Sequence, residues 1–182
     1  MNYIVFDLEA TCEDRSIDAN FDNEIIEIGA VKIKDKKIID KFSIFVKPIE
    51  NSKLTIFCKE LTSIKQEDVD NGYSFTEAIE MFYNWASDNG KEEVLFASWG
   101  YYDKKQIEKD CLRHSIENTY IKRHISIKHQ YSEEVLKVKK YFGIKKALRK
   151  EGLTFEGTHH RGIDDATNIA KIFIKHFNRW KY

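Results

Sequence analysis

Tyr3-Ile4-Val5-Phe6-Asp7-Leu8-Glu9 places two acids inside a β-strand pattern. A strand repeats every two residues, so Asp7 and Glu9 share one face, with Cα atoms about 7 Å apart. Two neighbouring carboxylates repel unless a cation sits between them. A divalent ion that prefers hard oxygen ligands, such as Mg²⁺ or Mn²⁺, meets that need.

Working outward, Glu24 to Ile33 reads as a second strand and Lys37 to Val46 as a third, joined by the short turn Lys34-Asp35-Lys36. Helical patterns cover Leu54 to Leu61 and Gln66 to Asn71. Phe75 to Trp85 is helical too, with Ser74 as its N-cap. Val94 to Ala97 reads as a buried parallel strand, and Ile121 to Ile127 holds the last one. Between them, Lys104 to His114 is helical, with Ile107, Cys111 and Leu112 pointing inward. Ser132 to Phe142 and Lys145 to Glu151 follow as helices. Asp164 to Trp180 closes the chain with an apolar stripe at Ala166, Ile169, Ala170, Phe173, Ile174 and Phe177. The order predicts an α/β fold: a mixed five-stranded sheet, three antiparallel strands and then parallel ones, flanked by helices.

The 182 residues fit one domain, 1–182, with Pro48 as the sole proline and no Gly/Ser-rich linker or repeat. The N-terminus shows no signal-peptide pattern and no segment is apolar enough to span a bilayer, so no membrane partner is expected. Cys12, Cys58 and Cys111 are odd in number and widely spaced, which suits a reducing, cytoplasmic setting. The formal net charge is zero, yet eight acids lie between Asp7 and Glu27 against Arg15 alone. Ten bases lie between Lys122 and Lys150 against Glu133 and Glu134. An acidic region for metal and a basic region for phosphate suit a nucleic-acid enzyme, although lysines on a solvated helix face explain the second region as well.

Two more segments carry acids. Ser98-Trp99-Gly100-Tyr101-Tyr102-Asp103 follows a buried strand, and Asp103 there is either a site acid or a helix cap. Thr158-His159-His160-Arg161-Gly162-Ile163-Asp164-Asp165-Ala166 opens the final helix, where acids also complement the helix dipole.

Taken together, Phe6–Cys12 (FDLEATC), Glu24–Val31 (EIIEIGAV), Phe57–Asp70 (FCKELTSIKQEDVD), Ser98–Asp103 (SWGYYD) and Gly157–Ala170 (GTHHRGIDDATNIA) resemble the DEDDh-type 3′→5′ exonucleases of RNase H-like fold. Within them, the chain is similar to the histone-mRNA and interfering-RNA exonuclease branch and its bacterial KapD-like relatives. The motifs stand in family order and span nearly the whole chain. The resemblance assigns metal-binding roles to Asp7, Glu9, Asp103 and Asp165, with two divalent ions, Mg²⁺ or Mn²⁺, and a general-base role to His160. The alternative pair His159 and Asp164 has the same spacing, but Gly162 and Ala166 fit the His160/Asp165 register. Tyr102 stands where the family often has Trp. By resemblance, Ala10 and Thr11 meet the terminal 3′-hydroxyl and sugar, and Phe57, Leu61 and Tyr102 pack on the last bases. Glu24 and Glu27 either tune the site from behind or occupy surface strand positions.

The implied substrates are 3′ ends of single-stranded RNA or DNA, with RNA favoured because Phe57–Asp70 resembles the RNA-directed branch. The products would be nucleoside 5′-monophosphates. Two other readings are a DNA-directed exonuclease and a catalytically weak RNA-binding regulator of the same fold. A dinucleotide-binding fold is excluded, because no Gly-rich phosphate loop follows the first strand.

Overall fold

The computed structural model describes residues 1–117 and 119–182. Strands β1 (Asn2–Ala10), β2 (Ile25–Lys34) and β3 (Lys37–Phe45) form an antiparallel meander. β4 (Val94–Ser98) adds to β1 in parallel, and β5 (His124–Ser126) adds to β4 in parallel. The result is the mixed five-stranded sheet that the strand patterns predict, and its order is β3-β2-β1-β4-β5.

Alternation along β1 divides the interior. Ile4, Phe6 and Leu8 face one apolar cluster, which they share with helix α3 (Phe75–Ala86) and helix α4 (Tyr102–Arg113). Val5 faces the other, with helix α6 (Ile144–Lys150) and helix α7 (Gly162–Lys175). Asp7 and Glu9 have the parity of Val5 and so point toward α7. Two short helices, α1 (Ile56–Thr62) and α2 (Gln66–Asp70), cover the end of the meander around Cys58, Ile64 and Val69. Helix α5 (Ile127–Gln130) completes the set. Ser74 caps α3, accepting from the Glu77 amide while Glu77 accepts from the Ser74 amide.

Three elements depart from the sequence pattern. Leu112 is 80% exposed, not inward. The buried stripe of α4 runs through Asp103, Gln106, Ile107, Asp110 and Cys111. Gln106 and Asp110 displace the apolar residue because they hydrogen-bond the Asn23 carbonyl and the Ile25 amide. The segment Ser132 to Phe142 is not an α-helix: α5 runs into a π-helical turn at Tyr131–Val135, and residues 136–143 are irregular. The final helix stops at Lys175 and gives way to a 3₁₀ turn at Phe177–Arg179, which lets the Trp180 indole donate back to the Phe173 carbonyl.

No helix among the described residues is long and apolar enough to cross a membrane. All three cysteines are free; Cys12 packs against the cluster that buries Cys58, whose thiol donates to the Ala10 carbonyl at 3.7 Å.

Candidate active site

β1 outruns its neighbour. Its pairing with β4 stops at Val5↔Ala97, so Asp7, Leu8 and Glu9 overhang the carboxyl end of β4. There α4 begins, and Asp103 fills the gap: its Oδ1 accepts from the Leu8 amide at 3.3 Å. Asp103 therefore does not cap α4, whose N-cap Tyr101 makes no side-chain cap bond.

The other side of β1 is held by two glycines. Gly29 lies opposite Asp7 in the β1–β2 ladder. A Cβ on Gly29 would overlap the backbone of Gly162 and Ile163, and one on Gly162 would come 3.0 Å from the Gly29 nitrogen and 3.1 Å from the Asp7 carbonyl oxygen. The first turn of α7 thus rests backbone on backbone against the sheet at Asp7. Glu27, fully buried, latches this contact by accepting from the Gly162 amide at 3.0 Å and from Arg161 Nε at 3.1 Å. Glu24 is also buried and accepts from the Ile49 and Asn51 amides at 2.8 and 2.6 Å. Neither glutamate occupies a surface position; both hold backbone in place beside the site.

This packing delivers Asp165 to the strand acids. Asp7, Glu9 and Asp165 each present a carboxylate oxygen, and the three oxygens lie within 4.8 Å of one another. Asp164 faces elsewhere, accepting from the Thr158 amide at 2.8 Å. The Asp165 register is therefore the one that joins the cluster. Both histidines also reach it. His159 Nδ1 lies 2.9 Å from Asp165 Oδ1, and the His160 amide donates to Asp165 Oδ2 at 2.7 Å. The His160 ring stacks on His159 at 4.0 Å, carried by a left-handed backbone with φ of 63°. The contact of His159 with Asp165 is not visible in the sequence, where the two histidines compete for one role.

Crowding shows in the acidities. Burial first, then Asp103, Glu9 and Asp165, hold the Asp7 carboxyl well above the usual carboxylate range. Burial, then Asp165, pushes Glu9 up to about 9. Asp103 rises to about 6 through burial, partly offset by hydrogen bonds from Ser98 and the Leu8 amide. Buried carboxylates that cannot all ionise alone have the hard-oxygen donors and the charge deficit that a divalent cation satisfies. Burial also lowers His160, helped by the neighbouring His159.

Two cavities of about 590 Å³ each meet at Tyr102. The first holds Asp7, Glu9, Asp103, Asp165, His159 and His160, walled by Lys128, Lys145, Lys146 and Arg149. The second is lined by Cys12 and Phe57 and rimmed by Glu13, Asp14 and Asp18, with Arg15 among them. Tyr102 is 52% exposed and Leu61 39% exposed. Phe57 is half-buried. None of these three is core. Thr11 is buried, and its amide donates to the Glu24 carbonyl at 2.8 Å while its hydroxyl accepts from the Glu24 amide at 2.9 Å. Its hydrogen bonds thus fix the loop after β1. Ala10, just before it, is also buried.

A family model described as Exonuclease matches residues 4–173. The chain belongs to the exonuclease family. The probable 3′-5′ exonuclease KapD of Bacillus subtilis (strain 168) is 31% identical, covering 93% of this chain and 82% of its own length. The 3′-5′ exonuclease Snipper of Drosophila melanogaster is 32% identical over 94% of this chain and 68% of its own. Among solved structures, the nuclease domain of 3′hExo, a DEDDh family member bound to rAMP, superposes with a TM-score of 0.88 at 28% identity, over 97% of this chain and 92% of that one. The protein is accordingly a 3′→5′ exonuclease of the DEDDh type, with an RNase H-like sheet and the acidic cluster of a divalent-metal family.

Proposed function

We propose that the chain works as one exonuclease domain that removes nucleoside 5′-monophosphates from the 3′ ends of single-stranded RNA. The observation that carries this reading is the convergence of Asp7, Glu9 and Asp165 within 4.8 Å beside buried Asp103 and a paired histidine loop. Asp7, Glu9, Asp103 and Asp165 would hold two divalent ions, Mg²⁺ or Mn²⁺. Such ions supply charge stabilisation at both ends of an in-line phosphoryl displacement.

The remaining work belongs to side chains. His160, neutral near pH 7 because burial lowers its pKa, accepts the proton of the attacking water. His159 keeps Asp165 oriented through its Nδ1 contact. The loop at Ala10 and Thr11 forms the seat of the terminal sugar and 3′-hydroxyl. Phe57, Leu61 and Tyr102 offer apolar faces to the last bases, and such packing tolerates any sequence. Three free thiols suit a reducing cytoplasm.

The deciding experiment supplies 3′-labelled single-stranded RNA and DNA of one sequence with Mg²⁺, beside an Asp7→Ala control. Mononucleotide release from RNA by the wild type alone supports the reading. Release from DNA in preference moves the substrate to DNA. Equal release by Asp7→Ala removes the assigned site.

A further inference from the structure

The exonuclease reading leaves the basic wall of the first cavity without a role. Lys145, Lys146 and Arg149 come from successive turns of α6, and Lys128 faces them from α5. Lys128 is held over the floor: its amide donates to the Trp99 carbonyl at 2.7 Å, and a Cβ on Gly100 would lie 3.5 Å from its Nζ. Among the described residues no carboxylate is within salt-bridge distance of any of these four cations. Other cations packed beside buried groups are matched, Lys32 with Asp88, Arg161 with Glu27 and Lys175 with Glu151, whereas these four gather unpaired around one cavity. The wall lysines instead lean on aromatic rings, Lys145 at 5.5 Å from Phe155 and Lys146 at 5.3 Å from Phe142. Cation–π contact orients an ammonium without neutralising it.

The two cavities also differ in sign. The second cavity, lined by Phe57 and Tyr102 that pack on the last bases, has the acidic rim Glu13, Asp14 and Asp18 with Arg15 among them. A 3′-terminal nucleoside ends in a hydroxyl and has no phosphate beyond it, so an acidic rim is tolerable there and hostile to a continuing chain. On the opposite side of the reacting phosphate the chain continues, one negative charge per nucleotide, and there the wall is cationic.

We infer that Lys145, Lys146 and Arg149, with Lys128 opposite, form a rail for the backbone phosphates of the nucleotides upstream of the scissile bond. The polynucleotide enters over α6 and ends at Tyr102. The acid-basic asymmetry sets its direction. This rests on the function proposed above.

The test is fluorescence anisotropy with a 5′-fluorescein single-stranded RNA decanucleotide whose 3′-terminal linkages are phosphorothioates, in Mg²⁺, from 50 to 200 mM salt. Each phosphate contact on a single strand adds about 0.7 to the slope of log affinity against log salt. The triple variant K145A/K146A/R149A should lose about 2 from that slope, so that wild-type affinity falls about 16-fold more than the variant's across this range. The charge-keeping variant K145R/K146R/R149K should keep the wild-type slope. An unchanged slope in the alanine variant, or equal loss in the charge-keeping one, overturns the rail. Turnover of unmodified RNA by the wild type is scored separately. Its absence alongside the predicted slopes removes the RNA substrate proposed above, while turnover with unchanged slopes removes only the rail.

Discussion

At the scale of single residues, the site opposes its own fold when no cation is present. Glu9 has a folded-state pKa of about 9 against an ordinary 4.5. Below pH 4.5 both folded and unfolded chains hold this proton, and no difference arises. Between 4.5 and 9 the unfolded chain releases it while the folded chain does not, so stability falls as pH rises. Thermal melts in EDTA should show a midpoint that drops from pH 5 to pH 9. Mg²⁺ should restore it, with a larger gain at pH 8 than at pH 6. Glu9→Gln should raise the melting temperature in EDTA and abolish nucleotide release. A melting temperature that falls for this variant would contradict the crowding argument. His160 adds a second pH effect of opposite origin. It accepts a proton only when neutral, and burial lowers its pKa below the ordinary 6.5. The rate should therefore climb with pH through a midpoint below 6.5. His160→Ala should lower kcat by about 10²–10⁴-fold and flatten that limb.

At the scale of elements, β1 was readable because two acids at strand period specify a face without tertiary knowledge. α7 was readable because an apolar stripe and two N-terminal acids coincide. What the sequence hid is partnership. Gln106 and Asp110 look like solvent residues of α4 until Asn23 and Ile25 supply their hydrogen-bond partners. Glu24 and Glu27 look ambiguous until the amides of residues 49 to 51 and of Gly162 converge on them. His159 and His160 cannot be ranked by spacing, since their roles depend on a left-handed turn at His160. Gly29 carries no signal in the strand pattern, yet no side chain fits there. Gly29→Ala should destabilise by about 1–3 kcal/mol through overpacking. It should weaken Mg²⁺ binding beyond what that loss explains, because α7 must lift Asp165 away from Asp7. Calorimetric Mg²⁺ titration of the folded variant checks this, and wild-type affinity would refute it.

At the scale of the whole molecule, the sheet separates stability from chemistry. Phe82 is buried in the cluster of α3 and α4, across the sheet from Asp7, Glu9 and Asp165. Phe82→Ala should cost about 3–5 kcal/mol. Denaturant melts should record that loss while KM for RNA, measured on the folded fraction, stays at the wild-type value. A matching shift in KM would mean the two faces communicate.

The contact between Gly29 and Gly162 has one more consequence, which concerns how such a protein can change over generations. Main chain touching main chain sets the gap between the strand acids and Asp165, so no neighbouring side chain acts as a spacer. The apolar residues on either face can be exchanged for others of similar volume without widening that gap. Variation is free in the packing and confined at two hydrogen-sized side chains. A lineage can rewrite most of this sequence while its carboxylates keep their stations.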